Sequence, residues 1–395
     1  MPLRLSLSRS FAVVVVACVA IWLTLSVGVS SIARYRNSGL ALAWAPFDAR
    51  ALGDSSAQAL QPAMSPDNVA EARALAQRAL RRDPTVIPAV TTLGVIAQGE
   101  GNTERAEKLF TYAAGLSRRN LATNLWMIEH HVEKDDIAGA LQYFDMALRT
   151  SREAQSILFP ILMGAMEDPR LIKPIADILA PAPKWRQPFM YQMIREGKFN
   201  ANMARLVMMI GNQDEVPWSL KRLVGEKEYA LAWAVYSNAT GIRVKGLRDG
   251  RFAREALFAP FDWNLASSGD GSAYRLDGPM GGLAFEVEGT GRLDLATQLV
   301  ALSPGAYRIR TLRGPTQGAL ADLPAWTISC AGNETPVVID SVDMAPKPDQ
   351  SEATGAFTIP GQGCDWQWLR LRTANRARSA GVNGTIQSVA IERRN

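Results

Sequence analysis

Histidine and cysteine are scarce in this chain, and their scarcity restricts the chemistry that it can support. The 395 residues include two histidines, adjacent at His130 and His131, and three cysteines. A structural zinc site usually takes four thiolate or imidazole ligands, so this chain could complete one only with other residue types or other chains. The sequence therefore predicts neither a metal nor a cofactor.

The sequence also lacks the short motifs of common enzyme classes. It has no Gly-x-Ser-x-Gly elbow, no phosphate-binding Gly-x-x-x-x-Gly-Lys loop and no dinucleotide-binding glycine fingerprint. His131 could share a helix face with Asp135 for proton transfer, but a histidine pair at a helix surface is the simpler interpretation. Glu286 and Glu288 share one predicted strand, which favours a solvated face over a glycosidase pair. We therefore expect no catalytic residues and a protein that is not an enzyme.

Basic residues are in slight excess but form no continuous stripe. The formal net charge is +5. Arg81-Arg82 and Arg118-Arg119 each end a predicted helix, where cations complement the negative end of the helix dipole. A nucleic-acid surface would instead show clustered basic residues. We expect no nucleic-acid partner.

Charge is absent from a long segment near the N-terminus. No charged residue occurs from Phe11 to Ala33. A helix of about 23 residues is roughly 34 Å long, which is enough to cross a bilayer. We interpret residues 1–10 as a cytoplasmic leader and 11–33 as a transmembrane helix in contact with membrane lipid. A cleaved signal peptide is the alternative, although its apolar core is usually about 7–15 residues long.

The cysteines fit an oxidising compartment. Cys18 lies in the apolar segment, whereas Cys330 and Cys364 both lie in the C-terminal region. One disulfide between the latter two would suit a protein on the outer side of a membrane. Two buried free thiols are the alternative.

Small and aromatic residues recur at an interval of 34 residues. The recurring positions are Ala72, Ala106 and Ala140, then Ala79, Ala113 and Ala147, then Phe110 and Phe144. Small residues let two helices approach closely, and the aromatic residue fills the gap to the next pair. This pattern over residues 67–150 resembles the tetratricopeptide repeat, a helix–turn–helix unit that stacks into a solenoid and binds other chains.

The boundaries of the helical region follow from caps, turns and prolines. Ser65 is the predicted N-cap of a helix that begins with Pro66, and Thr103 is the predicted cap after the Gly101-Asn102 turn. Beyond Arg152 the interval fades, and we expect the prolines to divide the chain into short helices that extend the solenoid. We place a connector at 34–66 and the helical domain at 67–240.

The pattern changes after a predicted linker at 241–260. Leu283, Phe285 and Val287 alternate with other residues, as do Leu369 and Leu371 near the C-terminus. Short alternating segments separated by turns predict an antiparallel β-sandwich over residues 261–395. The expected fold class is therefore multidomain, α then β.

The C-terminal segments resemble a jelly-roll of the carbohydrate-binding or galactose-binding-like type. The segments that carry this resemblance are 261–263, 298–307, 357–360 and 368–372. With the repeats and the apolar segment, the chain is similar to envelope-anchored proteins of Gram-negative bacteria. That resemblance implies a single-pass inner-membrane protein, mostly periplasmic, with a role in exopolysaccharide assembly or export.

Two functions follow as expectations. The first is a scaffold that binds a partner protein through the helical repeats. The second is a glycan-binding protein that acts through the sandwich, with the helices as a spacer and a polysaccharide as the partner. Trp366 and Trp368 lie two residues apart, so on one strand they would project from the same side as a platform for sugar rings. The alternative is that both pack under a loop or against the helical domain.

Overall fold

A computed structural model describes most of the chain after residue 37. It covers residues 38–60, 65–196, 199–278, 281–318, 322–332, 336–337, 339–340, 352–373 and 381–394, together with Ala20, Trp22 and Thr24. The rest of the predicted transmembrane segment lies outside the described residues. Within the described part of the chain, no helix is both long and apolar enough to cross a membrane.

The described residues form thirteen helices followed by two antiparallel sheets, so the α-then-β order is confirmed. The helices are α1 Ser38–Trp44, α2 Ala49–Leu60, α3 Pro66–Leu80, α4 Ile87–Gly99, α5 Thr103–Leu116, α6 Leu121–Glu133, α7 Ile137–Thr150, α8 Glu153–Ala165, α9 Pro169–Leu179, α10 Arg186–Glu196, α11 Ala201–Ile210, α12 Glu215–Gly225 and α13 Tyr229–Thr240. The chain divides into two compact units. Unit 1 comprises residues 1–162 and 181–185, and unit 2 comprises the remainder.

Unit 1 is built from helical hairpins. Helix α2 pairs with α3, α4 with α5, and α6 with α7. Ser65 caps α3 as predicted, because its hydroxyl accepts a hydrogen bond from the Asn68 amide at 3.2 Å. The cap of α5 is Asn102 and not Thr103, since the Asn102 side chain accepts from the Arg105 amide at 3.1 Å. The helix ends follow ordinary capping chemistry at both positions.

The predicted connector at 34–66 contains two helices, α1 and α2, and α2 is the first helix of a hairpin. Its Leu52-Gly53 pair corresponds to Leu93-Gly94 in α4, where the small residue permits a close approach. A Cβ added to Gly53 would lie 2.4 Å from Val86, and one added to Gly94 would lie 2.8 Å from the Phe110 ring. The two pairs are 41 residues apart and not 34, because the first hairpin has longer helices and a longer loop. The fixed interval therefore missed it.

Helices α9 to α13 belong to unit 2 and also pack as alternating hairpins. Helix α9 packs against α11, α11 against α13, and α10 against α12. Pro169 starts α9, but Pro160 and Pro174 lie inside α8 and α9, so these two prolines do not end helices as expected. An interior proline removes one backbone hydrogen bond. The buried apolar face of α9, which includes Ile172 and Ile175, offsets that loss.

The sheets of unit 2 contain twelve strands among the described residues. The strands are β1 Asn264–Leu265, β2 Ser267–Ser268, β3 Gly271–Arg275, β4 Leu283–Val287, β5 Asp294–Val300, β6 Gly305–Gln317, β7 Ala325–Cys330, β8 Pro336–Val337, β9 Ile339–Asp340, β10 Glu352–Ile359, β11 Gln367–Arg372 and β12 Val382–Arg393. One sheet has the order β1-β5-β11-β7-β8, and the other has the order β2-β3-β4-β12-β6-β10-β9. All described pairings are antiparallel.

The two sheets enclose one apolar core. Phe285 of β4 and Leu369 of β11 lie in this core, with Trp263 and Trp326 between the sheets. The alternation read from the sequence holds, because Leu369 is fully buried while its neighbours Trp368 and Arg370 are only half-buried. Period-two patterning therefore assigned the inner face of these strands correctly.

The predicted linker at 241–260 is packed into unit 2. Phe252 is buried in the core of the sandwich, and Arg248 is only 8% exposed. The Arg248 amide donates to Gln298 Oε1 at 2.8 Å, and Gln298 Nε2 donates back to the Arg248 carbonyl at 3.1 Å. Its glycines and charges suggested a solvated segment, but side-chain partners on strand β5 satisfy its backbone.

We predict that Phe110→Ala destabilises unit 1 by about 3–5 kcal/mol, the usual range for removing a buried aromatic ring. Phe110 is fully buried and stacks on Trp126 with ring centroids 4.5 Å apart. Urea denaturation followed by circular dichroism measures the change. Tyr112→Ala is the control on the same helix, since Tyr112 is 46% exposed. Equal losses for the two variants would contradict the packing described.

Candidate functional site

The residues of the 34-residue interval form the interior of the hairpins. All eight are buried: Ala72, Ala79, Ala106, Phe110, Ala113, Ala140, Phe144 and Ala147. They place helices in contact and present no side chain to a partner. A binding surface must therefore be sought on other residues of the helices.

The histidine pair is tied into the hairpin α6/α7. His130 is buried and stacks on Trp126, with ring centroids 4.5 Å apart. His131 Nδ1 lies 2.8 Å from Asp136 Oδ2, so its carboxylate partner is Asp136 and not Asp135. A hydrogen bond from the Gly139 amide, followed by one from His131, lowers the pKa of Asp136. These contacts give the pair a capping role at the start of α7.

Cys330 and Cys364 form a disulfide in unit 2. The bond joins the end of β7 to the loop before β11, and both residues are buried in the sandwich core. It closes a loop of 34 residues and restricts the unfolded chain accordingly. The bond fastens the segment that carries Trp366.

Trp366 and Trp368 do not form a pair on one strand. Strand β11 begins at Gln367, so Trp366 precedes it. The Trp366 ring packs against α13, with centroids 6.1 Å from Trp233 and 6.5 Å from Tyr229. Trp368 lies on the strand under the Arg370 guanidinium, whose carbon is 5.3 Å from its ring centroid. The packing alternative therefore describes Trp366 better than the sugar platform does.

A buried arginine joins α13 to the sandwich. The Arg248 guanidinium lies over the rings of Trp233, Tyr236 and Phe261, at 5.3 to 5.7 Å from their centroids. Its nitrogens donate to the carbonyl oxygens of Phe261 and Leu299, at 2.9 Å and 2.8 Å. Burial lowers its pKa. Cation–π contacts and carbonyl acceptors together replace the water that the charge loses.

A tyrosine hydrogen bond adds to this joint. Tyr236 donates to Asp262 Oδ1 at 2.8 Å, and burial is the main reason that its pKa is raised. The Phe258 amide donates to the other oxygen, Asp262 Oδ2, at 2.9 Å. Both oxygens of this carboxylate are therefore occupied, and the cluster serves to hold α13 in place.

A second buried charge sets the spacing of α10 and α12. Arg186 begins α10 and Glu215 begins α12, and their side chains are 11% and 2% exposed. Arg186 donates from Nη2 to Oε2 at 2.7 Å and from Nε to Oε1 at 3.1 Å. The Asn212 amide also donates to Oε2, at 3.2 Å. This two-pronged geometry satisfies a carboxylate that is almost fully buried.

A groove lies between α10 and α12, and we call it the α10–α12 groove. It has a volume of about 590 Å³ and is lined by Tyr191, Ile194, Arg195, Trp218, Lys221, Arg222, Gly225 and Glu226. Tyr191 and Trp218 meet edge to face, with centroids 5.5 Å apart. Ile194 is 4% exposed and supplies an apolar side chain at the base. Tyrosine, tryptophan and arginine are the residue types that most often dominate binding energy at protein interfaces.

The sequence offered two signals for this groove. The interval of 34 residues had faded, so it aligned nothing across 186–226. Arg195 with Tyr191, and Lys221 with Trp218, nevertheless lie three or four residues apart, which places each pair on one helix face. Two such aromatic–basic faces on neighbouring helices could have indicated a binding surface. The pairing of α10 with α12 requires the structure.

Comparisons with known proteins add little. No protein-family model matches the chain, and no curated protein sequence matches it. Among similar solved structures is one described as the functional characterization of Pseudomonas aeruginosa pilF. It is 16% identical, covers 49% of this chain and 93% of its own, and has a TM-score of 0.24. Because these values are low, we base no functional conclusion on this likeness.

We predict that Glu215→Ala destabilises unit 2 by about 3–5 kcal/mol, because it leaves the Arg186 charge buried without its partner. Asp177→Ala, which breaks the exposed pair with Lys173, should change stability little. Urea denaturation of both variants measures the difference. A Glu215→Ala variant as stable as Asp177→Ala would show that this pair does not hold α10 and α12 together.

We also predict that Arg248→Met destabilises unit 2 by about 2–4 kcal/mol, because two buried carbonyl oxygens lose their donor. Arg251→Met is the matched control, since Arg251 is exposed in the same segment. Thermal melting followed by near-ultraviolet circular dichroism compares the two proteins. Equal melting temperatures would contradict a structural role for the buried guanidinium.

Proposed function

We propose that this protein is a scaffold that binds a partner protein through the α10–α12 groove. The observation that carries the proposal is the groove itself, where tyrosine, tryptophan and arginine side chains surround a cleft large enough for several residues. Helical hairpins suit this function because adjacent helices form extended grooves. The proposal assigns a binding role to the chain and no catalytic step.

The proposal includes an anchor in the bacterial inner membrane, with most of the chain in the periplasm. The uncharged run from Phe11 to Ala33 supports the anchor. The disulfide Cys330–Cys364 supports an oxidising compartment. A role in exopolysaccharide assembly or export belongs to the same proposal, and only the resemblance to envelope-anchored proteins supports it.

Glycan binding by a jelly-roll domain is the weaker alternative. The ring of Trp366 is engaged by aromatic residues of α13, and the ring of Trp368 is covered by Arg370. Arg370 in turn donates to Ser329 Oγ at 2.7 Å. No contact among these residues favours a sugar over the neighbours that already occupy them, so we make no separate proposal for a glycan.

A glycine in the groove allows a steric test. Gly225 lines the groove, is exposed, and has no atom within 4 Å of an added Cβ. Leucine at this position should fill the groove without disturbing the helix, and leucine is the better helix former. Gly115 near the end of α5 has the same open surroundings but lies outside the groove. Gly115→Leu is therefore a matched control.

We predict that the tagged full chain captures a partner from gently solubilised membranes of its own organism. Gly225→Leu should reduce that capture at least tenfold, whereas Gly115→Leu should retain it. Quantitative mass spectrometry of the captured proteins measures the ratio. Capture that is unaffected by Gly225→Leu, or no enrichment over an unrelated anchored protein, would overturn the proposal.

A further inference from the structure

Positive charge dominates the α10–α12 groove. Its lining includes three cations, Arg195, Lys221 and Arg222, but one carboxylate, Glu226. Arg222 and Glu226 pair at 2.6 Å, so their charges offset each other. Within the described residues, neither Arg195 nor Lys221 forms an ion pair with a carboxylate. Two exposed positive charges therefore face a ligand.

The two cations lie beside apolar surface. Arg195 stacks on Tyr191, with its guanidinium carbon 5.6 Å from the ring centroid, and also donates to the Tyr191 hydroxyl. Trp218 meets Tyr191 edge to face, and Ile194 lies below. A ligand that fills this groove needs negative charge next to an apolar side chain. An acidic peptide segment offers both within a few residues.

This surface suits a peptide better than an anionic sugar. A sugar ring stacks on the open face of an aromatic ring, but Arg195 already lies over Tyr191. The volume of about 590 Å³ exceeds what one side chain fills and matches ordinary ligand clefts of about 300–1,000 Å³. A short stretch of extended chain fits such a cleft.

We infer that the α10–α12 groove binds an acidic segment of the partner protein, with its carboxylates on Arg195 and Lys221 and an apolar side chain against Tyr191 and Trp218. This inference rests on the proposed scaffold function and specifies the chemistry of its partner. Clustered cations with an aromatic neighbour are a general way to recognise acidic segments. The binding should weaken as salt rises, because the charges are exposed.

A display experiment tests this without knowledge of the partner. A library of random twelve-residue peptides is selected on the purified full chain in mild detergent, with Gly225→Leu protein for counter-selection. We expect the retained peptides to be enriched in aspartate and glutamate next to an aromatic or aliphatic residue. No retained peptides, or retained peptides without acidic enrichment, would overturn the inference.

Charge reversal provides the second arm. Arg195→Glu/Lys221→Glu should weaken the best acidic peptide at least tenfold by fluorescence anisotropy. Arg205→Glu/Lys184→Glu should change its affinity less than twofold, because both residues are exposed and lie outside the groove. Equal effects of the two double variants would overturn the inference. Polygalacturonate that binds the groove in place of every peptide would overturn it in favour of an anionic polysaccharide.

The two proposals fail in distinguishable ways. If membrane capture is lost in Gly225→Leu but persists in Arg195→Glu/Lys221→Glu, the scaffold function stands and the acidic partner does not. If capture persists in Gly225→Leu, the scaffold function through this groove fails as well. Loss of capture in both, with retention in both controls, supports the two together.

Discussion

The buried ion pair between Arg186 and Glu215 is the contact on which the proposed site depends. It lies at the first residues of α10 and α12 and fixes the distance between these helices at one end. The groove opens further along the same two helices. A charge pair at this depth is retained only when its geometry is well satisfied, and here Glu215 accepts bonds from both Arg186 and the Asn212 amide. The groove therefore has a defined width before any partner binds.

The sandwich supports the same helices through α13. Helix α12 pairs with α13, and α13 is held on the sheets by Trp233, Tyr236 and the Arg248 guanidinium. Tyr229 adds a hydrogen bond to the Ala331 carbonyl at 2.8 Å, next to the disulfide. Unit 2 is thus one packed body in which the β-domain stabilises the last hairpin. A prearranged groove loses less conformational entropy on binding than a flexible one.

The sequence predicted the fold well wherever burial repeats at a fixed interval. The alanines at 72, 106 and 140 and the strand residues Phe285 and Leu369 lie where the 34-residue and two-residue periods placed them. The failures occur where long-range packing decides. Helix α2 escaped because its hairpin is longer, and the segment around Arg248 looked like a linker because its partners lie about 50 residues away on β5. Trp366 was assigned to a strand that begins one residue later, and no local signal could pair α10 with α12.

The most direct measurement of the central claim is hydrogen–deuterium exchange of the full chain with and without its captured partner. Our account predicts slower exchange in peptides that cover residues 191–196 and 215–226, with little change in strands β4 and β12. Protection confined to the β-strands, with α10 and α12 unchanged, would show that the partner binds elsewhere and would contradict the account.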